Sequence, residues 1–94
     1  MILSRTSTVV ATRNQSTAAI GERAVILGLT SGTYFGLNAV GTRIWALIQE
    51  PKQVGEIEQA LLAEYEVEPD ACGRDLLTLL QELASKGLID VRDE

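Results

Sequence analysis

The spacing of hydrophobic and polar positions changes near residue 38, from short extended runs to a helical period. Residues 1–37 are poor in helix-forming residues and rich in Thr, Val and Ile, and such runs bounded by turn residues are typical of strands. Gly32 can adopt a positive φ, so the segment around it is predicted to be a hairpin turn. The predicted strands are Thr8–Arg13, Arg23–Leu29 and Thr33–Leu37, and a further short strand around Thr17–Ile20 is compatible with the pattern.

After residue 38 the apolar positions repeat at helical spacing and predict three helices. Asn38 suits the N-cap of the first helix, because its side-chain oxygen can accept an otherwise unsatisfied backbone N–H. Pro51 prevents this helix from continuing, and Pro69 suits the first turn of the third helix. The predicted helices are about Ala39–Gln49, Val54–Glu66 and Pro69–Lys86, and they are followed by Gly87 as the residue beyond the last helix and by a short extended segment, Leu88–Val91.

This order of elements predicts an α+β fold, in which a three-stranded antiparallel sheet is followed by three helices. Three helices beside a small sheet resemble a winged helix-turn-helix. A chain of 94 residues with 46% hydrophobic residues is large enough for one modest core. We therefore expect a single domain over residues 1–94.

The winged-helix likeness makes a DNA-binding transcription regulator the obvious alternative function, but the charge distribution argues against it. Residues 1–49 carry four Arg against one Glu, whereas residues 50–94 carry four basic residues against twelve acids. The third predicted helix has Arg74 and Lys86 as its cations, among several carboxylates, so counterion release from DNA would contribute little affinity. We expect no nucleic-acid partner.

The residue types that catalysis or metal binding requires are scarce. The sequence contains no His, so Cys72 has no imidazole to activate it as a nucleophile. The carboxylates fall at exposed-type helical positions or in a loop, and the sequence contains no nucleotide-binding loop. We predict no enzymatic activity, no cofactor and no metal.

The cysteine content and the N-terminal sequence indicate the cellular compartment. One cysteine cannot form an intrachain disulfide, which fits a reducing compartment. The N-terminus lacks the apolar run of a signal peptide, and no stretch approaches 18 apolar residues. We expect a cytoplasmic protein with no membrane partner.

The predicted strand Thr33–Leu37 has the features of an unprotected sheet edge. It contains no Lys or Pro, the residues that usually prevent edge strands from pairing with other chains. Gly36 has no side chain and allows another backbone to approach closely. A peptide added here as one more strand would gain main-chain hydrogen bonds. Two other arrangements stay open: the N-terminal strand covers this edge, or a second copy of the chain pairs with it.

The apolar positions of the third predicted helix cover an arc of about 160°, wider than the stripe of roughly 100° that a packed surface helix needs. Either both neighbouring elements bury this helix, or one margin of the arc near Cys72 and Leu79 remains open. The second arrangement would make the helix one wall of a groove beside the strand Thr33–Leu37.

An ordered set of residues along most of the chain resembles the PqqD-like family, whose namesake is the peptide chaperone of pyrroloquinoline quinone biosynthesis. The likeness spans roughly residues 5–91. It implies a RiPP recognition element, a small domain that binds the leader segment of a ribosomally synthesised precursor peptide. The matching positions are Tyr34-Phe-Gly-Leu-Asn38, Gly41, Ile44-Trp45, Val54, Ile57, Leu61, Tyr65, Asp75-Leu76, Leu83 and Gly87-Leu-Ile89.

The resemblance also implies which residues bind the leader. In this family the leader pairs with the third strand, in a cleft against the third helix. Asp75 would meet a basic residue of the leader, although a plain surface carboxylate is an equal interpretation. The implied residues are Thr33, Tyr34, Phe35, Gly36 and Leu37 for backbone pairing, Asp75, Leu76 and Leu79 for the helix wall, and Glu82 and Lys86 as flanking charges.

Two departures from the family pattern narrow this expectation. Thr30-Ser-Gly-Thr33 replaces the acidic-glycine turn that precedes the third strand in the quinone-pathway proteins, and Gln53 stands where Ser or Thr often caps the second helix. The first departure points towards the stand-alone members that serve lasso-peptide biosynthesis. The resemblance thus implies a non-catalytic adaptor that presents a leader peptide to a leader peptidase and to a cyclase or other modifying enzyme.

Overall fold

The computed structural model describes residues 3–92 of the chain. Its antiparallel strands and three helices confirm the predicted α+β fold, and the winged helix-turn-helix likeness describes only this order of elements. Among residues 3–92, no helix is both long enough and apolar enough to cross a lipid bilayer. In chain order the elements are β1 (Thr8–Ala11), β2 (Gln15–Ile20), β3 (Arg23–Gly28), β4 (Tyr34–Gly36), α1 (Ala39–Leu47), β5 (Lys52–Gln53), α2 (Val54–Glu64), α3 (Pro69–Ser85) and β6 (Ile89–Arg92).

Strands β2, β3 and β4 form one antiparallel sheet with β3 in the centre. Ile26 of β3 lies opposite Thr17 of β2 and Phe35 of β4, so these three side chains share one face of the sheet. This is the inner face, because Ile26 is fully buried. Gly32 adopts a φ of 68° between β3 and β4, which confirms the predicted conformation of the hairpin turn.

The N-terminal strand does not belong to this hairpin sheet, which corrects the predicted set of three strands. β1 pairs instead with β5 and β6 in a second antiparallel sheet of order β5-β1-β6. Val9 of β1 is fully buried opposite Val91, near the end of the chain. β2 completes the hairpin sheet and extends the short strand expected around Thr17–Ile20. Most of β2 is exposed, so its sequence lacks the apolar alternation that marks a half-buried strand.

Local sequence signals set the ends of the three helices. The side-chain oxygen of Asn38 accepts the Gly41 N–H at 2.8 Å, and α1 therefore begins directly after β4. At the start of α2 the Glu56 carboxylate accepts the Gln53 N–H at 3.0 Å, which supplies a cap where no hydroxyl is present. Gly87 follows the end of α3 with a φ of 71°, as predicted. Each helix ends one or two residues before its predicted end.

Helix α1 packs against β3 of the hairpin sheet, whereas α2 contacts β5 and α3 contacts β6. The buried apolar side chains of these elements form one cluster. Trp45 of α1 is buried, and its indole Nε1–H donates to Thr17 Oγ1 at 3.1 Å, which ties α1 to β2. Leu80 and Leu83 of α3 are fully buried, and Ile57 of α2 is nearly so. One side of α3 is thus fixed in the core, while its margin near Leu79 remains only partly buried.

We predict that Asn38→Ala lowers the free energy of unfolding by about 1 kcal/mol, because the Gly41 N–H loses its acceptor. Asn38→Asp keeps an acceptor oxygen, so its free energy of unfolding should lie within roughly 0.3 kcal/mol of the parent's value. Urea unfolding followed by circular dichroism measures both variants. Equal stability of Asn38→Ala and the parent would show that the junction between β4 and α1 does not depend on this cap.

Candidate functional site

One side of β4 has no partner strand among residues 3–92. The Leu37 N–H donates to the Ala24 carbonyl at 2.9 Å, so the backbone of Leu37 faces β3. In an antiparallel strand, successive residues direct their backbone N–H and carbonyl groups to opposite sides. The N–H and carbonyl groups of Tyr34 and Gly36 therefore point to the unpaired side. The described part of the N-terminal segment does not cover this edge, since β1 lies in the other sheet.

A groove with a volume of about 510 Å³ lies beside the unpaired edge. Strand β4 and the start of α1 form one wall, and α3 forms the other. The end of α2 and the loop between α2 and α3 close the groove between these walls. A ligand that fills the groove would therefore contact the edge strand and the last helix at the same time.

The walls of the groove are mostly apolar. Leu37 and Leu76 are buried, whereas Phe35 and Leu79 are partly exposed to the groove. These side chains come from β4 and α3, two elements that face each other across the cavity. Apolar side chains of a ligand would be removed from water between them, which is the main source of affinity in such a cleft.

Charged side chains lie around the apolar walls. The carboxylates of Glu68 and Asp75 line the groove on exposed residues. Lys86 Nζ lies 5.9 Å from the centroid of the Phe35 ring, a distance at which a cation is attracted to the face of an aromatic ring. The groove thus offers carboxylates to a basic ligand residue and carries a cation over one of its aromatic walls.

Most of the predicted site residues meet in this groove. Thr33 and Tyr34 belong to the same strand segment without lining the cavity, and the Tyr34 side chain is exposed on the outer face of the sheet. Glu82 and Lys86 lie further along α3, and Lys86 reaches Phe35. That these residues bind a ligand stays a prediction. The predicted residues that line the groove are Phe35, Gly36, Leu37, Asp75, Leu76 and Leu79.

Of the two arrangements considered for α3, the structure has the one in which the margin near Cys72 and Leu79 remains open. Cys72 and Leu79 are partly buried and line the groove, while Leu80 and Leu83 face the core. The wide apolar arc of α3 therefore serves two surfaces, the core on one side and the groove on the other.

Sequence reasoning missed the part of the groove formed by α1, α2 and the loop between α2 and α3. The helical residues gave no distinguishing signal, because apolar positions at helical spacing are expected in the core. Val67 did give a distinguishing signal, since it places an apolar side chain between Glu66 and Glu68, in a loop where polar residues are usual. The missed apolar residues are Val40, Ile44, Leu61, Tyr65 and Val67.

Cys72 contributes a neutral thiol to the wall of the groove. Burial raises the pKa of this thiol, and the nearby negative charges of Glu58 and Asp75 raise it further. The thiolate is therefore disfavoured at neutral pH, and the side chain behaves as a small apolar group. A nucleophilic role would need the opposite shift.

Helices α2 and α3 approach each other closely at Glu58 and Gly73. Glu58 is 9% exposed, and its Oε1 atom lies 3.0 Å from Nη2 of Arg5 in an ion pair. A Cβ atom at residue 73 would lie 2.8 Å from Glu58 Oε2, a distance shorter than such atoms tolerate. The absence of a side chain at Gly73 therefore lets the carboxylate lie between the helices, next to the wall residue Cys72.

Comparisons with known proteins identify relatives of this chain. A family model described as Coenzyme PQQ synthesis protein D (PqqD) matches residues 23–89. The chain is 41% identical to TbiB1, solved in complex with the TbiA(beta) leader peptide; the match covers 90% of this chain and 99% of that chain, with a TM-score of 0.80. It is 27% identical to a lasso peptide synthetase B1 complexed with the leader peptide, over 87% of this chain and 96% of that chain, with a TM-score of 0.76. None of the curated proteins matches this chain.

At Gly73 helix propensity and packing act in opposite directions. Ala is favoured over Gly inside a helix by about 1 kcal/mol, but its Cβ atom would collide with the Glu58 carboxylate. The carboxylate is the end of a flexible side chain and can move aside, but moving it would weaken its ion pair with Arg5. We predict that the two effects nearly cancel, so that Gly73→Ala changes the free energy of unfolding by less than about 1 kcal/mol.

A double-mutant cycle separates the two effects. In the Glu58→Ala background, Gly73→Ala should raise the free energy of unfolding by about 1 kcal/mol, because the colliding oxygen is gone. Glu58→Gln keeps an atom at the same place, so Gly73→Ala should have as little effect there as in the parent. If urea unfolding shows Gly73→Ala to be stabilising by about 1 kcal/mol in all three backgrounds, the contact with residue 58 does not oppose a side chain at residue 73.

Proposed function

Since the chain belongs to the PqqD family, we propose that it binds the leader segment of a ribosomally synthesised precursor peptide as a non-catalytic adaptor. The observation that supports this most directly is the unpaired edge of β4 beside an apolar groove. TbiB1 and the lasso peptide synthetase B1, to which the chain is similar, are each in complex with a leader peptide. A leader segment would occupy the edge and the groove together.

The leader would add to the hairpin sheet as a strand next to β4. Its backbone would pair with the N–H and carbonyl groups of Tyr34 and Gly36, the residues whose backbone points to the unpaired side. The space around Gly36 is open, since even an added Cβ atom there would meet nothing within 4 Å. Alternate leader side chains would then point to the inner face and enter the groove between Phe35, Leu37 and the α3 wall.

Burial of leader side chains would supply most of the affinity. Each Leu-sized side chain that the groove fully buries contributes about 1.5–3 kcal/mol. Two or three such side chains, together with main-chain hydrogen bonds, would outweigh an ordering cost of about 2–5 kcal/mol for a flexible segment. We expect a dissociation constant near micromolar, which corresponds to about −8 kcal/mol, but this value is set by the class of complex and not by the sum of these contributions.

The charges around the groove would set the direction and preference of binding. Asp75 and Glu68 are exposed carboxylates on the groove wall, and each would attract a basic leader residue by about 0.2–1 kcal/mol. Glu82 and Lys86 would flank the same helix wall. Electrostatic attractions of this size favour one leader register over another more than they add to affinity.

The adaptor would deliver its leader to a separate leader peptidase and to a cyclase or other modifying enzyme. Binding raises the concentration of the precursor at the enzyme without any chemistry by the adaptor itself. Residues 5–91 would act as one peptide-recognition domain in the cytoplasm, with neither nucleic acid nor membrane as a partner. The likeness to a lasso peptide synthetase B1 supports placing this chain in lasso-peptide maturation.

We predict that a fluorescently labelled leader of this chain's own precursor binds saturably, and that Leu79→Glu weakens binding at least tenfold, or about 1.4 kcal/mol. The reason is that the substitution places a charge in the apolar wall of the groove. Thr78→Glu adds the same charge at an exposed position of the same helix and should change the affinity less than twofold. Fluorescence anisotropy measures the affinities, and thermal melting confirms that each variant is folded.

Two results would contradict this proposal. One is the absence of saturable leader binding up to high micromolar concentrations. The other is equal binding by the Leu79→Glu and Thr78→Glu variants. A DNA-binding regulator would instead retard DNA fragments in a gel, with an affinity that falls steeply as salt increases.

We predict that backbone N-methylation of the leader weakens binding only at every second position. In an added strand, alternate residues direct their N–H groups to the neighbouring edge, and the residues between them direct theirs away. Methylation at the paired positions should weaken binding more than tenfold, whereas methylation at the intervening positions should change it little. Affinities of five singly methylated leaders measure this profile, and a profile without a period of two would exclude strand addition.

A further inference from the structure

Each of the two sheets has two outer strands, and the outer strands of the second sheet carry features that prevent further pairing. β5 is only two residues long and begins with Lys52. β6 carries the charged side chains of Asp90 and Arg92. Short strands and charged side chains are usual means of keeping an edge strand from pairing with another chain. In the hairpin sheet, β4 is the edge of the proposed leader site, which leaves β2 to be explained.

Strand β2 has none of these protective features. Its sequence, Gln15-Ser-Thr-Ala-Ala-Ile20, contains no charged residue and no Pro. All six residues pair with β3 in an unbroken register, so no bulge interrupts the strand. Five of the six residues are exposed. An edge that is regular, uncharged and open in this way is a template for pairing with another strand.

The backbone groups on the open side of β2 are arranged symmetrically. The Asn14 carbonyl accepts the Leu29 N–H at 3.1 Å, so Asn14 faces β3. Because successive residues of an antiparallel strand direct their backbone groups to opposite sides, Gln15, Thr17 and Ala19 direct theirs away from β3. These three residues are evenly spaced about Thr17. An identical strand that approaches in the antiparallel direction therefore meets the same pattern of donors and acceptors.

We infer that the chain self-associates through β2 as a two-fold symmetric dimer, in which β2 of one copy pairs antiparallel with β2 of a second copy. Thr17 would lie opposite Thr17 of the second copy, and Gln15 opposite Ala19 of the second copy. The outward-facing residues would form about six main-chain hydrogen bonds across the junction. A two-fold interface uses the same surface on both copies, and the symmetric spacing about Thr17 satisfies this condition. The two hairpin sheets would then form one continuous sheet.

The charges at the two ends of β2 favour a second copy in the antiparallel direction. Arg13 precedes β2 and Glu22 follows it, and neither forms an ion pair within residues 3–92. Antiparallel pairing places Arg13 of each copy beside the turn that carries Glu22 of the other, so opposite charges meet at both ends of the junction. Parallel pairing would place like charges together, which is destabilising. Arg23 begins β3 and lies one strand further from the junction.

The side chains of β2 are small enough for this approach. In the same register Ser16 would lie opposite Ala18 of the second copy on the outer face of the sheet. On the inner face the two Thr17 side chains would be neighbours, and cross-strand pairs of Thr stabilise sheets. Ile20 is 67% exposed and would lie opposite Asn14 of the second copy, so it would lose part of its contact with water.

The length of β2 sets the strength of the contact. A strand of six residues is roughly 20 Å long, and one pair of such strands buries much less than the area of about 800 Å² per partner that is typical of a stable interface. The dimer is therefore weak, and its population rises with protein concentration. β4 lies at the opposite side of the hairpin sheet from β2, so both copies keep an open groove. The inference does not depend on the proposed function.

Charge reversal at the two ends of β2 tests both the surface and the identity of the partner. Arg13→Glu and Glu22→Arg each bring like charges together at both ends of the junction, and each should weaken self-association of the full chain at least tenfold. An equimolar mixture of these two variants should associate as the parent does, because opposite charges meet again in the mixed dimer. Arg74→Glu, at an exposed position of α3, changes the net charge as Arg13→Glu does and should match the parent. Sedimentation velocity over a range of concentrations measures each sample.

A second variant acts on the main-chain hydrogen bonds of the junction. Ala19→Pro removes an N–H that points away from β3, and Pro is tolerated at such positions of an edge strand. It should abolish self-association, while circular dichroism and thermal melting confirm that the variant is folded. A parent that remains monomeric at the highest concentration would overturn the inference. So would a mixture of Arg13→Glu and Glu22→Arg that remains monomeric while the parent associates, because the parent would then associate through another surface.

Discussion

The register between β3 and β4 is the constraint on which the groove depends. Ile26 lies opposite Phe35, and this pairing directs the side chains of Phe35 and Leu37 to the inner face while the backbone of Gly36 points to the open edge. A shift of one residue would exchange the two faces and move the groove residues to the outside. The turn at Gly32 and the helix start after β4 hold this short strand at both ends, so local turn geometry determines the shape of the site.

The segment that leads into β1 of the second sheet has a different role, because it binds the start of α2. The Arg5 carbonyl accepts the Gly55 N–H at 2.9 Å and the Ser7 carbonyl accepts the Val54 N–H at 3.0 Å. These N–H groups belong to the first turn of α2 and have no partner within the helix. Arg5 also pairs with Glu58, whose carboxylate lies against Gly73 of α3. The residues just before β1 thus fasten the start of α2.

The sequence predicted a feature correctly where that feature depends on residues close together in the sequence. Asn38, Gly32 and Gly87 mark a helix start, a hairpin turn and a helix end, and each occupies its predicted conformation. The pairing of β1 with β6 joins opposite ends of the chain and leaves no local signal. The exposed β2 has no apolar period, and its sequence indicated only a short strand around Thr17–Ile20. The unprotected strand and the wide arc of α3 left the groove as one of two arrangements, and the resemblance to the PqqD-like family indicated its two walls. The rest of the lining did not, because a cavity arises only where several packed elements leave space between them.

Cys72, the lone cysteine of the sequence, lies on the groove wall. A ligand analogue that carries a thiol-reactive electrophile would therefore have a single thiol to react with, without any engineered attachment point. Because the pKa of this thiol is raised, reagents free in solution react slowly at neutral pH. An analogue seated in the groove gains effective concentration and reacts in preference. Covalent capture at this sulfur would turn a transient encounter into a permanent complex, suited to trapping the whole assembly for structure determination.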